Sequence, residues 1–150
     1  MKKILVPIDD SEFSERALLK AKEVAEAFDS HVVLLHVMNV IPTVLSVRNN
    51  EIDTRLDWPA IISEAKVQSN NLLERSKERF GELSSRVETV VLEGADGGIA
   101  KAIVEYENEY DADLIVMGSN GNNSMMKRLY LGSVTNKLLH LIRKPILVVR

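Results

Sequence analysis

The strongest constraint on what this chain can fold into is an alternation of periods. Five short, largely apolar runs, at 4–8, 32–37, 87–92, 114–117 and 146–149, are separated by longer stretches whose apolar residues recur about every 3.6 positions. Runs of that length without polar alternation read as strands buried on both faces, hence as a parallel sheet. Phe13, Ala17, Ala21, Val24 and Phe28 share one helical face after Ser11, a helix N-cap, with Glu12 and Glu15 in the first turn. Ile62, Ala65, Leu72 and Phe80 mark a second helix, entered at Trp58-Pro59 and ended near Gly81. Ile99, Ile103, Tyr106 and Tyr110 mark a third. The fourth starts after Gly132-Ser133 and carries Val134, Leu138, Leu141 and Ile142 before Pro145 forbids its continuation.

The order β-α-β-α-β-α-β-α-β implies one α/β domain over 1–150, with right-handed crossovers placing helices on both faces of the sheet. Ligands of such sheets bind beyond the carboxyl ends of the strands, where the winding reverses. Function is therefore expected just after Ile8, Val37, Leu92 and Met117. The connection 39–58 is long for an ordinary crossover and suggests a functional or partner-ordered segment.

Composition removes several classes of function. With no cysteine, the chain has no disulfide, thiol nucleophile or cysteine-ligated metal, and a reducing cytoplasm is the expected compartment. Nineteen Lys and Arg against twenty-two Asp and Glu, with few aromatics, give no basic surface for nucleic acid. The stretch 30–47 carries no formal charge over eighteen residues, but its histidines, Asn39, Pro42 and β-branched first half read as a strand entering a loop, not a membrane span. The apolar run 4–8 ends at Asp9-Asp10, too early for the core of a secretion signal.

Where a dinucleotide fold has a glycine-rich turn after its first strand, this chain has Asp9-Asp10-Ser11-Glu12, whose carboxylates repel phosphate from the helix start. After the fourth run the chemistry is the opposite. Gly118-Ser-Asn-Gly121 leads through Asn122, Asn123 and Ser124 to Gly132-Ser133, and from Gly118 to Thr135 there is no Asp, Glu or His, while Lys127 and Arg128 are present. Glycines let backbone N–H groups approach closely, so this stretch is the best phosphate cradle in the chain. Across the crevice, Asp9 can accept hydrogen bonds from the two hydroxyls of a ribose, leaving the role of helix N-terminal charge to Asp10 or Glu12.

Together, Ile4-Leu-Val-Pro-Ile-Asp9-Asp-Ser11, Leu34-Leu-His-Val37, Glu93-Gly94, Ala112-Asp-Leu-Ile-Val-Met-Gly118-Ser-Asn-Gly121, Leu131-Gly-Ser-Val134 and Lys144-Pro-Ile-Leu-Val-Val149 resemble the universal stress protein family over nearly the whole chain. The likeness is to its nucleotide-binding branch, with the pattern G-x2-G-x9-G-[ST]. The resemblance implies a Rossmann-like, five-stranded parallel sheet in the order 3-2-1-4-5, a homodimer, and ATP or another adenine nucleotide with Mg2+ or Mn2+. It implies that Asp9 holds the ribose, that the backbone at Val37 reads the adenine edge, and that Pro7, Ile8 and Met117 line the base pocket. Gly118, Gly121, Gly132, Ser133 and Val134 are implied around the phosphates. Ten residues, 122–131, stand where the pattern has nine, which leaves the preference among ATP, ADP and AMP open.

No pair among His31, His36 and His140 has metal-ligand spacing, and each is expected to be solvated or packed. No serine sits in a nucleophile elbow. No catalytic residue is assigned, and a nucleotide-dependent sensor read by an unknown downstream partner, with at most slow ATP hydrolysis, is expected. Two other classes are a phospho-acceptor receiver domain, with Asp53 or Asp57 as acceptor, and a nucleotide-free structural dimer. Local sequence disfavours the receiver, because no apolar strand delivers Asp53 and Lys144-Pro145 precedes the final strand. A homodimer through the last strand is expected, since the order 3-2-1-4-5 leaves 146–149 at a sheet edge.

Overall fold

The computed structural model describes residues 1–39, 57–94, 98–121 and 130–150. Its strands are β1 (Lys3–Pro7), β2 (His31–Met38), β3 (Val87–Glu93), β4 (Leu114–Gly118) and β5 (Ile146–Val149), and its helices are α1 (Glu12–Phe28), α2 (Trp58–Glu78), α3 (Gly98–Tyr110) and α4 (Ser133–Leu141). The sheet is parallel throughout, in the order β3-β2-β1-β4-β5, as the resemblance implied.

Each of the three inner strands sends alternate side chains to opposite faces. Ile4, Val6, Val32, Leu34, Leu114 and Val116 join Ala17, Leu18, Ala21 and Leu73 in the core under α1 and α2. Leu5, Val33, Leu35, Ile115 and Met117 join Ala100, Ile103 and Leu138 in the core under α3 and α4. Both faces are covered, which is why these runs show no polar alternation. The edge strands β3 and β5 are only partly buried.

Ser11 caps α1, its Oγ accepting from the Ser14 N–H at 3.1 Å. Asp29 closes the helix in a left-handed conformation, φ 54°. Trp58-Pro59 does begin α2, after the cap Asp57, whose carboxylate accepts from the Ala60 N–H at 3.2 Å. Three helical faces differ from the spacing-based expectation. The buried residues of α2 are Ser69, Leu73 and Ser76, while Ile62 is exposed. The Ser69 hydroxyl donates to the Ala65 carbonyl at 2.7 Å, so its polarity is absorbed within the helix and its small size lets the sheet approach. Phe80 is buried but lies beyond the helix, leading into a 3-10 turn over Gly81–Arg86. Phe28 on α1 and Leu141 on α4 are exposed; α4 buries Thr135 and Leu138, with Ile142 buried just after it.

Residues 31–38 of the uncharged stretch form β2; 40–47 lie outside the described residues. No helix among the described residues is long and apolar enough to cross a membrane.

Candidate functional site

The winding reverses between β1 and β4. β1 pairs with β2 from Lys3↔His31 to Pro7↔Leu35, but with β4 only at Ile4↔Leu114 and Leu5↔Ile115. The carboxyl ends of β1 and β4 therefore diverge, and a crevice opens where a doubly wound sheet binds ligands.

Asp9 stands on one wall. Its N–H donates to Ser14 Oγ at 2.9 Å, and its Oδ1 accepts from the Ser11 N–H at 3.1 Å and from Ser11 Oγ at 2.5 Å. Asp9 is thus tied into the turn that enters α1, while Glu12 stands as expected in the first turn of the helix, with Glu15. Asp10 and Glu12 are exposed, within 4.0 Å of Arg75 and 3.5 Å of Arg16 respectively. With Oδ1 held by Ser11, Oδ2 faces the opposite wall, where a Cβ placed on Gly121 would lie 2.7 Å from it.

The opposite wall is clamped by the backbone. Ser119 N–H donates to the Val149 carbonyl, and the Gly132 N–H donates to the Ser119 carbonyl, both at 2.8 Å. Thr135 Oγ1 donates to the Gly118 carbonyl at 3.0 Å. Gly132 is the N-cap of α4 and has no side chain with which to cap it. α4 begins at exposed Ser133, and the N–H groups of a helix's first turn have no partner within the helix.

The three glycines have different reasons to be glycine. At Gly118 a Cβ would lie 2.8 Å from the Phe13 backbone carbon, so its role is close packing of β4 on α1. Gly132 packs against Asn120, 3.2 Å from that residue's Cα. Gly121 alone of the three faces the Asp9 carboxylate across the crevice.

The structure brings Val37 and Met117 together in the core under α3 and α4, with Val134 packed against it. Ile8 packs its side chain into the core on the other face, and its backbone N–H and carbonyl are bonded to Leu35 and His36. Pro7 ends β1 and is partly exposed. Lys127, Arg128 and Asp53 lie outside the described residues. Asp57, the other candidate phospho-acceptor, is occupied as the α2 cap.

Sequence reasoning missed two features. Ser11 and Ser14 orient Asp9, which the spacing D-x-S before a helix could have shown, since aspartate commonly bonds the backbone two residues on. His36, expected to be merely solvated or packed, is a hydrogen-bonding partner of the Ile8 carbonyl through Nδ1, at 2.9 Å. Its signal was a polar side chain inside the apolar run 32–37.

No group of three or more His, Cys, Asp and Glu able to hold a metal ion occurs among the described residues.

The model of the universal stress protein family matches residues 1–150. Universal stress protein MJ0531 of Methanocaldococcus jannaschii is 32% identical over 149 residues, covering 99% of this chain and 82% of that protein. The solved structure of MJ0577, from the same organism, is 28% identical with a TM-score of 0.77, covering 99% of this chain and 94% of that one. A universal stress protein from Archaeoglobus fulgidus, solved in complex with dAMP, shares the fold at 20% identity and a TM-score of 0.68, covering 100% of this chain and 98% of that one. With sheet order and whole-length match in agreement, the chain belongs to the universal stress protein family.

Proposed function

We propose that the crevice between β1 and β4 binds ATP or another adenine nucleotide, and that the protein is a nucleotide-dependent sensor or switch in a stress response. The observation that carries this reading is the pairing across the crevice of the Asp9 carboxylate with Gly121, beside the glycine-capped start of α4. A carboxylate suits a sugar hydroxyl, and helix N–H groups suit phosphate. The dAMP complex of the Archaeoglobus relative supports an adenine nucleotide as the ligand class.

In this reading Asp9 holds the ribose, Val37 presents its backbone to the base, and Gly121, Ser133 and Val134 border the phosphates. Mg2+ or Mn2+ arrives with the nucleotide. The protein binds rather than hydrolyses. Its compartment is the cytoplasm, and it works as a homodimer through β5, a partly exposed edge strand of the sheet.

The test is to denature purified protein and identify what it releases by mass spectrometry, and to melt the emptied protein with ATP. An adenine nucleotide released, or a rise in Tm with millimolar ATP, is expected, since a ligand bound only to the native state stabilises it. Absence of both overturns the reading.

A further inference from the structure

We infer that His36 is a positioning residue for base recognition, and that it works by occupying the hydrogen bond that would otherwise close β2 against β1. This rests on the reading that an adenine nucleotide occupies the crevice.

In a strand with neighbours on both sides, the backbone groups of successive residues point alternately to one neighbour and the other. In β2 the Met38 carbonyl accepts from the Gly94 N–H at 2.7 Å, so Met38 faces the β3 side. The Leu35 carbonyl accepts from the Ile8 N–H at 2.8 Å, so Leu35 faces β1. Val37, two residues past Leu35, faces the β1 side as well. It does so where regular pairing has ended at Pro7↔Leu35.

Continued by one step, the parallel ladder would join the Val37 N–H to the Ile8 carbonyl. That carbonyl is instead engaged by the imidazole of His36, Nδ1 to O 2.9 Å. A carbonyl only accepts, so Nδ1 carries the proton of this bond. The side chain thus satisfies the last acceptor of the β1 end from within β2 and keeps Val37, in register with Leu92 of β3, from pairing with β1. Val37 then presents an N–H donor beside a C=O acceptor. Adenine's pairing edge offers the complement, a ring-nitrogen acceptor beside an amino donor. Guanine offers the reverse order, and a backbone pair set this way rejects it.

His36 also fixes the carbonyl immediately before Asp9, while Ser11 fixes the Asp9 carboxylate from the other side. Base and sugar contacts are therefore referred to the same two residues at the end of β1. Met38 and His36 also line a groove of about 1350 Å³ beside α2, so the imidazole lies between that groove and the end of β1.

The test compares wild type, His36→Asn and His36→Leu by titration calorimetry with ATP and GTP. The amide nitrogen of asparagine is bonded to Cγ as Nδ1 is, so His36→Asn is expected to hold ATP within roughly twofold and to keep the preference over GTP. His36→Leu removes the donor, and is expected to lose roughly tenfold in ATP affinity with GTP unchanged, a collapse of preference that general loosening would not give. Nitrogen-15 NMR of the nucleotide-free wild type is expected to show His36 protonated on Nδ1; a neutral ring protonated on Nε2 overturns the inference even if His36→Leu fails to fold. If wild type binds ATP and His36→Leu binds it equally well with the preference kept, the inference falls and the site reading stands. If wild type binds no adenine nucleotide, the site reading falls and takes this inference with it.

Discussion

Asp9 and Gly121 face each other so closely that a Cβ on the glycine would lie 2.7 Å from Asp9 Oδ2. The carboxylate has little room to retreat, because Ser11 holds Oδ1 through both its N–H and its hydroxyl. Gly121 is therefore required by the carboxylate across the crevice as much as by any phosphate beside it.

Alanine at the two glycines should separate site from fold. Gly121→Ala displaces Asp9 and is expected to weaken ATP binding by about tenfold or more, with the Tm of the empty protein within about 2 °C of wild type. Gly118→Ala collides with the Phe13 backbone, 2.8 Å away. It is expected to cost roughly 1–3 kcal/mol, about 3–10 °C in Tm, while keeping affinity below its melting range. Calorimetry with thermal melting checks both, and the reverse pattern would reassign the two glycines.

ATP and 2′-deoxy-ATP should bind with affinities within about threefold of each other, because losing one of two shared hydroxyl contacts costs little when a single oxygen serves both. Oδ1 is already engaged, so Oδ2 has to meet the sugar and one hydroxyl suffices for it. A competition titration decides. A loss of more than about thirtyfold for the deoxy form would mean that Ser11 releases Oδ1 on binding.

ATP turnover is expected well below the enzyme median of about 10 per second. Orienting an attacking water takes a general base or similar group near the terminal phosphate. Gly118 to Thr135 supplies no carboxylate, histidine or glutamine, and Asp9 is tied to Ser11 at the sugar end. Phosphate release at saturating ATP and Mg2+ is the measurement; turnover near the median, lost in Ser133→Ala, would identify an enzyme instead.

At acid pH the amino end of the sheet should weaken first. The N–H groups of Lys2 and Lys3 donate to Asp113 Oδ2 at 2.5 and 3.0 Å and hold its carboxyl below the ordinary range. The Lys144 hydrogen bond does the same for Asp111. A carboxyl whose folded pKa is depressed stabilises the fold above its unfolded pKa, near 3.8 here, and that contribution disappears as pH falls through the folded value. Lys144, raised by the same pair, contributes below its ordinary 10.5 and loses that contribution as pH rises through the folded value. Asp113→Asn is therefore expected to lose a modest, solvent-screened part of the stability at neutral pH and to converge on wild type below about pH 4, which flattens the acid decline. Denaturant melts from pH 3 to 7 check it, and an unchanged acid limb would count against the linkage.

The outer edge of β5 offers a selective way to test the dimer. Pro145 and Val149 direct their carbonyls to β4, so the alternation points the backbone groups of Ile146 and Val148 outward. Val148→Pro removes an outward N–H without removing a bond to β4, and is expected to dissociate the dimer while the chain stays folded. Sedimentation at tens of micromolar, with circular dichroism, distinguishes this from unfolding. A wild type already monomeric there would defeat the proposal.

The five strands were legible because burial on both faces leaves no polar alternation, and the helix starts were legible at Ser11 and at Trp58-Pro59. The seam of α2 was not. Ser69 and Ser76 are buried and count against a hydrophobic period, while Ile62 fits the period and faces out. Nor can a sequence distinguish Gly118 from Gly121, since one is decided by Phe13 and the other by Asp9, more than a hundred residues away. His36 was misjudged for the same reason: its partner, Ile8, is twenty-eight residues distant and becomes adjacent only once the register of β1 and β2 is known.

The serine seam of α2 also sets the order in which the molecule comes apart. In seventeen residues α1 buries six side chains, four of them apolar alanine or leucine and one phenylalanine. In twenty-one residues α2 buries three, of which only Leu73 is apolar. Lifting α2 from the sheet exposes far less hydrocarbon to water than lifting α1, so its opening costs less free energy and occurs more often. Brief partial unfolding is thereby steered to the β2–β3 flank, while the β1–β4 junction keeps its shape through it.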